Sequence, residues 1–262
     1  MMVFDAYIKK MAGFISDMAA KHRAVKTVTI PESFSALKDG VCVKVGPGAN
    51  PGIILRRDTF LELGNPAVGS AAFFLFTGDN TLVKNGRITV IGPDIPESEG
   101  ASMPFGQVLI IGGKTLSDKD YDSLIYAGFI GDMIEGYMVR SFSRNLWSRV
   151  GQTAVAQGFN FTMLGRALMW IYRNAQPAIE SMEIIFVTSG ADDVKALEEI
   201  ALQVQKIARE IVRENWKVKG VDIDCSLDCN TCSDKPVCDD IKEVLNIRKN
   251  ENQDLRGMGH GN

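Results

Sequence analysis

Four of the five cysteines in this chain fall within residues 225–238, as Cys225, Cys229, Cys232 and Cys238 in the run DCSLDCNTCSDKPVC. The spacing is C-x3-C-x2-C-x5-C. Thiolates are soft ligands, and four of them on one short segment are enough for one tetrahedral metal or one cubane iron–sulfur cluster. Three metal chemistries compete. A structural zinc site usually draws on two well-separated C-x2-C pairs, and here Cys229 and Cys232 form the single such pair. A radical S-adenosylmethionine enzyme uses three thiolates spaced as Cys225, Cys229 and Cys232 are, but it needs a barrel after the motif and an open iron, whereas Cys238 offers a fourth ligand. A fully ligated [4Fe–4S] cluster fits the set best, with zinc as the alternative and disulfides or free thiols behind both. The aspartates that crowd the segment, among them Asp224, Asp228 and Asp234, read as a solvated surface. Cys42, alone in the apolar run VCVKV, reads as ordinary core.

A second set of residues has chemistry of a different kind. Between Gly136 and Ile179 there is no Asp, Glu or Lys, yet there are five arginines: Arg140, Arg144, Arg149, Arg166 and Arg173. A guanidinium binds phosphate or carboxylate in bidentate fashion and tolerates partial burial. Trp147 lies inside the group, in SRNLWSRVG. An indole among guanidiniums can stack on a nucleotide base while the arginines take its phosphates. The competing reading pairs these arginines with carboxylates from elsewhere in the chain and places Trp147 in the core.

The elements that must position these groups follow from hydrophobic period and turn chemistry. Residues 3–21 carry helical spacing. Between 26 and 114 the chain alternates apolar runs (KTVTI, VCVKVG, GIILRRDTFLEL, AAFFLFTG, RITVIG, QVLIIGG) with Gly-, Pro- and Asn-rich turns, which predicts strands without interleaved helices. Helices are expected over 117–138 and over FTMLGRALMWIYRNA, stopped by Pro177. A strand, MEIIFVTS, and a long helix from about Ala191 to Lys217 come next. Ser189 with Asp192 resembles a capping box, and Val194, Leu197, Ala201, Val204, Ala208 and Ile211 form the apolar stripe. The expected fold class is therefore α+β, with a mostly antiparallel or mixed sheet packed with helices. The expected organisation is an N-terminal helix (residues 1–24), an α+β domain (25–220), a cysteine-rich metal-binding segment (221–248) and a flexible tail (249–262).

Composition bounds the rest. The chain has 262 residues, 45% hydrophobic and 23% charged, with net charge −3. That is a globular composition, with no general basic character for nucleic acid and no apolar run long enough to span a bilayer. The N-terminus lacks a secretory layout, so a cytoplasmic, thiol-reducing location is expected, which favours metal over disulfide. There is no P-loop, H-E-x-x-H or G-x-S-x-G. The loop GPGANPG (46–52) lacks a phosphate-binding fingerprint, and His22 and His260 are the only histidines, so nucleophilic catalysis has almost no support and no catalytic residue is assigned.

The order of blocks resembles a known family. RITVIGPDI, SMPFGQVLIIGGKTL, LWSRVGQTAVAQGFNF, MEIIFVTS, the long helix and the cysteine segment are together similar to acetyl-CoA synthase, the β subunit of the carbon monoxide dehydrogenase/acetyl-CoA synthase complex, over roughly residues 40–240. The resemblance is to that enzyme's middle domain running into the first cysteines of its metal-bearing domain. It implies an α+β fold around a mostly antiparallel sheet and an arginine-rich surface with a tryptophan associated with coenzyme A. The family's W-x-R-V piece is matched by Trp147, Arg149 and Val150; Arg144 falls one position out of step. Arg140 belongs to the same candidate group.

Two departures limit what the resemblance implies. The cysteines are more closely spaced than in the family's cluster motif, and no C-x-C is present for a nickel site. The expectation is thus an acetyl-CoA-synthase-like iron–sulfur protein of anaerobic CO or one-carbon metabolism, with an accessory or electron-transfer role and a protein partner in a complex of that type. It would bind coenzyme A and would not itself build the nickel centre. The alternatives are a coenzyme A or nucleotide binding module and a structural subunit with a zinc-stapled C-terminus.

Overall fold

In a computed structural model of the chain, the described residues are 3–21, 23–30, 53–129, 134–142 and 145–218. The strand expected at VCVKVG with Cys42, the GPGANPG loop, both histidines, Arg144 and the whole cysteine segment lie outside them. The chain divides into two compact units, Met1–Asn215 and Trp216–Asn262; all the described elements lie in the first except the last residues of the C-terminal helix.

The elements run α1 (Asp5–Ala20), β1 (Val25–Thr29), β2 (Thr59–Leu63), β3 (Ser70–Thr77), β4 (Arg87–Ile91), β5 (Ser102–Met103), β6 (Phe105–Gly112), α2 (Tyr121–Phe129), β7 (Tyr137–Phe142), β8 (Leu146–Gly151), α3 (Gln152–Ala156), α4 (Phe161–Ala175), β9 (Ser181–Val187) and α5 (Ala191–Val218). One sheet has the order β1-β4-β9-β6-β3 and a second the order β5-β2-β8-β7. The first is mixed: β3 with β6 and β4 with β9 are parallel, while β6 with β9 and β1 with β4 are antiparallel. The α+β class with a mixed sheet is the one the sequence predicts.

Strands β6 and β9 are buried along their whole length. Their near-continuous apolar runs suit central strands covered on both faces. Helix α4 covers one face. Its Phe161 stacks on Phe186 at 4.9 Å and on Phe105 at 5.6 Å. Gly165 lets it approach closely, since a Cβ there would sit 2.7 Å from Ile88 Cδ1. Helix α5 covers the other face, where a Cβ on Gly106 would lie 2.5 Å from Leu197 Cδ2. The second sheet joins the first through Ser70 Oγ, which donates to the Leu146 carbonyl at 3.0 Å. Gly64, at φ +66°, ends β2 where a side chain would collide with that carbonyl.

Buried carboxylates paired with partly exposed arginines lock the connections. Glu183, 2% exposed on central strand β9, accepts from Arg87 Nε at 2.8 Å and from the Lys84 backbone N–H at 3.0 Å. Asp193, 4% exposed in the first turn of α5, accepts from Ser189 Oγ at 2.5 Å and pairs with Arg23 at 3.0 Å.

Several expectations change. Of the helix expected over 117–138, Tyr121–Phe129 is helix, residues 130–133 lie outside the described set, and Tyr137–Phe142 is strand β7. Gly128, Gly131 and Gly136 weaken a helix there, and Gly136 adopts φ +77° before the β-forming run YMV. LWSRVG forms strand β8, which the sequence reading left unassigned. Of GIILRRDTFLEL only Thr59–Leu63 is strand, because Arg56–Asp58 forms a 3-10 turn. Ser189 bonds Asp193 rather than Asp192, and Ile200 replaces Ala201 in the buried stripe of α5. Helix α4 spans the residues expected for it, capped by Asn160, whose side chain accepts from the Met163 N–H at 2.9 Å.

Candidate functional site

Strand β8 decides where the candidate arginines and tryptophan lie. Its alternation buries Leu146, Ser148 and Val150 and turns Trp147 and Arg149 to the outer face of the second sheet. Across the register, Arg149 pairs with Glu62 on β2 and with Met138 on β7. One row of that face is therefore Glu62–Arg149–Met138. Between Val139 and Ser141 the register of β7 shifts, and Arg140 is the extra residue. A bulge re-aims side chains; this one places the Arg140 guanidinium carbon 4.0 Å from the centroid of the Trp147 ring.

Glu62 is the hub. Its Oε1 accepts from Arg149 Nε at 2.8 Å and lies 3.6 Å from Arg140 NH1, and its Oε2 accepts from Asn65 Nδ2 at 3.0 Å. Burial alone would raise the Glu62 pKa. The hydrogen bonds from Arg149 and Asn65 and the charges of Arg149 and Arg140 more than offset that, and the carboxyl is held below its ordinary value of 4.5. Arg149 also donates through NH1 to the Ile54 carbonyl at 3.3 Å. Its side chain is 13% exposed, against 34% for Arg140. The two arginines thus differ in kind. Arg149 is fixed on two sides, and Arg140 rests on an aromatic ring with its guanidinium partly in solvent.

Trp147 is half-buried, and its Nε1 is covered without an acceptor among the described residues. With Arg140 over the ring, the pair forms a cation–aromatic platform. A phosphate or carboxylate that approaches Arg140 meets a cation already oriented, and competes with Glu62 only at the longer of its two arginine contacts.

At one end of this face, past Gly136 and Gly151, lies a pocket of about 270 Å³. The sequence reading missed both the pocket and Glu62. A charged residue inside the otherwise apolar strand TFLEL was the available signal for Glu62. The remaining arginines disperse: Arg173 donates to Asn85 Oδ1 at 2.6 Å from α4, which also carries Arg166. Among the described residues no group of His, Cys, Asp and Glu is arranged to hold a metal, and no helix is long and apolar enough to cross a membrane. The four cysteines Cys225, Cys229, Cys232 and Cys238 are outside that set. As donors, four thiolates on one segment fit a cubane cluster or a zinc ion.

The chain is thus a mixed-sheet α+β domain presenting a basic, aromatic outer face. The family described as CO dehydrogenase/acetyl-CoA synthase complex beta subunit matches residues 41–194, and the chain belongs to that family. It is 29% identical over 156 residues to the acetyl-CoA decarbonylase/synthase complex subunit beta of Archaeoglobus fulgidus, covering 58% of this chain and 29% of that protein. It is 26% identical over 191 residues to subunit beta 1 of the same complex in Methanosarcina thermophila, covering 71% of this chain and 39% of that one. It is 30% identical over 181 residues to the carbon monoxide dehydrogenase/acetyl-CoA synthase subunit alpha of Moorella thermoacetica, covering 67% and 23%. The chain therefore spans well under half the length of these relatives. The family resemblance read from the sequence is borne out.

Proposed function

We propose that this protein is an accessory subunit of a CO dehydrogenase/acetyl-CoA synthase-type complex, in which the outer face of the second sheet binds coenzyme A. The observation that carries the reading is the Arg140–Trp147 pair, 4.0 Å apart on the face that also carries the Glu62–Arg149 ion pair. Relatives named for acetyl-CoA chemistry make a phosphate-bearing nucleotide thiol the natural ligand of such a pair. In this arrangement Arg140 takes a ligand phosphate and Trp147 supplies the aromatic surface. Arg149 keeps Glu62 and the sheet in register. Arg144, outside the described residues, stays a candidate further cation on sequence grounds alone. Fluorescence titration with coenzyme A tests the reading. The chain has three tryptophans, so loss of the quench in Trp147→Phe identifies the reporter. No response of the wild-type protein at millimolar ligand rejects the proposal.

The cysteine quartet supports a second element of the same role. Cys225, Cys229, Cys232 and Cys238 would hold a [4Fe–4S] cluster, which supplies one-electron transfer when bound. Zinc, with a purely structural role, is the alternative for this donor set. Metal content of anaerobically purified protein separates the two.

A further inference from the structure

The pocket at the end of the basic face has a different character from the face itself. Asp58 and Glu135 line it together with Gln152, Gln157, Phe159 and Met163, and none of its lining residues is a Lys, Arg or His. It is thus a space without cations, lined by both side-chain amides and apolar side chains. It is continuous with the arginine face. Gly151, Arg149 and Trp147 alternate along β8 on one side of the sheet, and Gly151 borders the pocket. Ile54 connects the two directly, because its carbonyl accepts from Arg149 NH1 at 3.3 Å and its side chain lines the pocket. From Gly151 to Trp147 the strand advances four residues, about 13 Å at the usual rise. A ligand reaching from one end to the other needs an anionic head and a slender neutral arm.

We infer that the pocket is the subsite for the amide-bearing pantetheine arm of the ligand whose phosphates lie at Arg140, an inference that rests on the coenzyme A reading above. The chemistry matches at both ends. The pantetheine arm carries no charge, which suits a lining without a Lys, Arg or His to hold an anion. Its two amides find the side chains of Gln157 and of Gln152, whose Nε2 donates to the Arg57 and Thr59 carbonyls and leaves Oε1 to accept, and its methylene and gem-dimethyl groups find Phe159 and Met163. Buried amides need such partners, and the fixed charge gradient sets the direction in which the ligand lies.

Gly151 supplies the test. Its φ is −78°, a conformation open to any residue, and a Cβ there would meet Ile54 Cδ1 and the Gly136 carbonyl oxygen at 3.7 Å, ordinary contact. Gly151→Val therefore pushes methyl groups into the pocket without straining the backbone. Wild type and variant are titrated with coenzyme A and with adenosine 3′,5′-bisphosphate, which has the nucleoside and two of the three phosphates but no arm. The expected result is a loss of about tenfold or more in coenzyme A affinity with adenosine bisphosphate affinity unchanged, because only the arm's contacts are removed. Equal coenzyme A binding by wild type and variant overturns the subsite and leaves the arginine–tryptophan reading standing. Failure of wild type to bind either ligand overturns both. A parallel loss for both ligands places the nucleotide, not the arm, at Gly151 and also overturns the subsite. If Gly151→Val lowers the thermal midpoint, Met163→Trp, which fills the pocket from α4, takes its place with the same outcomes.

Discussion

Glu62 and Arg149 face each other across β2 and β8, and Arg149 Nε donates to Glu62 Oε1 at 2.8 Å with both side chains under a fifth exposed. This pairing separates two arginines that look equivalent in the sequence. Arg149 spends its fork on Glu62 and the Ile54 carbonyl, whereas Arg140 reaches Glu62 at 3.6 Å and keeps a third of its side chain in solvent. Substitution should split their roles. Arg149→Ala removes charge-assisted hydrogen bonds from a mostly buried carboxylate and should cost about 2 kcal/mol of stability. Arg140→Ala should change stability by less than about 0.5 kcal/mol, as for other surface positions, and weaken coenzyme A binding instead. Urea unfolding and ligand titration of the two variants check the split; equal stability losses would remove the distinction.

The same carboxylate predicts an acid sensitivity. Glu62 is held below its ordinary value of 4.5 in the folded protein, so its stabilising contribution is present above that pH and disappears as pH falls through the folded value. Wild type should therefore exceed Glu62→Gln in stability near neutral pH, and the gap should close from about pH 5 downward. A gap that is constant with pH would mean that Glu62 acts by shape rather than charge.

The contrast with the sequence reading has a physical origin. Strands β6 and β9 were legible as unbroken apolar runs, and helices α4 and α5 because each keeps one dominant period over many residues. Strand β8 was not, because its two faces invert the usual pattern: Ser148 is buried and Trp147 is turned outward. The extra residue at Arg140 breaks the alternation of β7 as well. The candidate arginines and tryptophan could be named from residue types and family likeness. Their partner Glu62 lies 87 residues from Arg149, and nothing local in the sequence links the two.

Glu183 on β9 offers a stability test away from the face. It is 2% exposed and holds Arg87 and the backbone of the turn at Lys84. Glu183→Ala leaves a guanidinium without its acceptor beside a central strand and should cost about 3–5 kcal/mol. Circular dichroism at rising temperature would record it as a large fall in midpoint. A fall no larger than that of Arg140→Ala would show that water replaces the carboxylate at little cost.

Gly92 carries a backbone prediction. Its φ is +109°, and a Cβ there would overlap the backbone of Ser189, where the chain leaves β9 for α5. Gly92→Ala must both strain the residue and push two connections apart, at a cost of about 2–3 kcal/mol. Gly100, where a Cβ would come no closer than 3.5 Å to Ser102, is the matched control and should tolerate alanine. Comparable losses at both positions would rule out the close approach as the cause.

The thiolates give the most discriminating outcome for the proposed electron-transfer role. A cubane cluster needs four ligands, and Cys225, Cys229, Cys232 and Cys238 supply that number with none to spare. Anaerobically purified protein should then be brown and contain about four irons per chain. Cys238→Ser separates this from a three-thiolate site, because a cubane that depends on all four ligands should lose iron, whereas a site built on Cys225, Cys229 and Cys232 should keep it. Zinc leads elsewhere: a colourless protein with one metal ion per chain, insensitive to oxygen, would remove the redox role and leave a structural one. Replacing all four cysteines then decides whether even that role exists. Unchanged unfolding of the Met1–Asn215 unit in the quadruple variant would show that its stability does not depend on the metal.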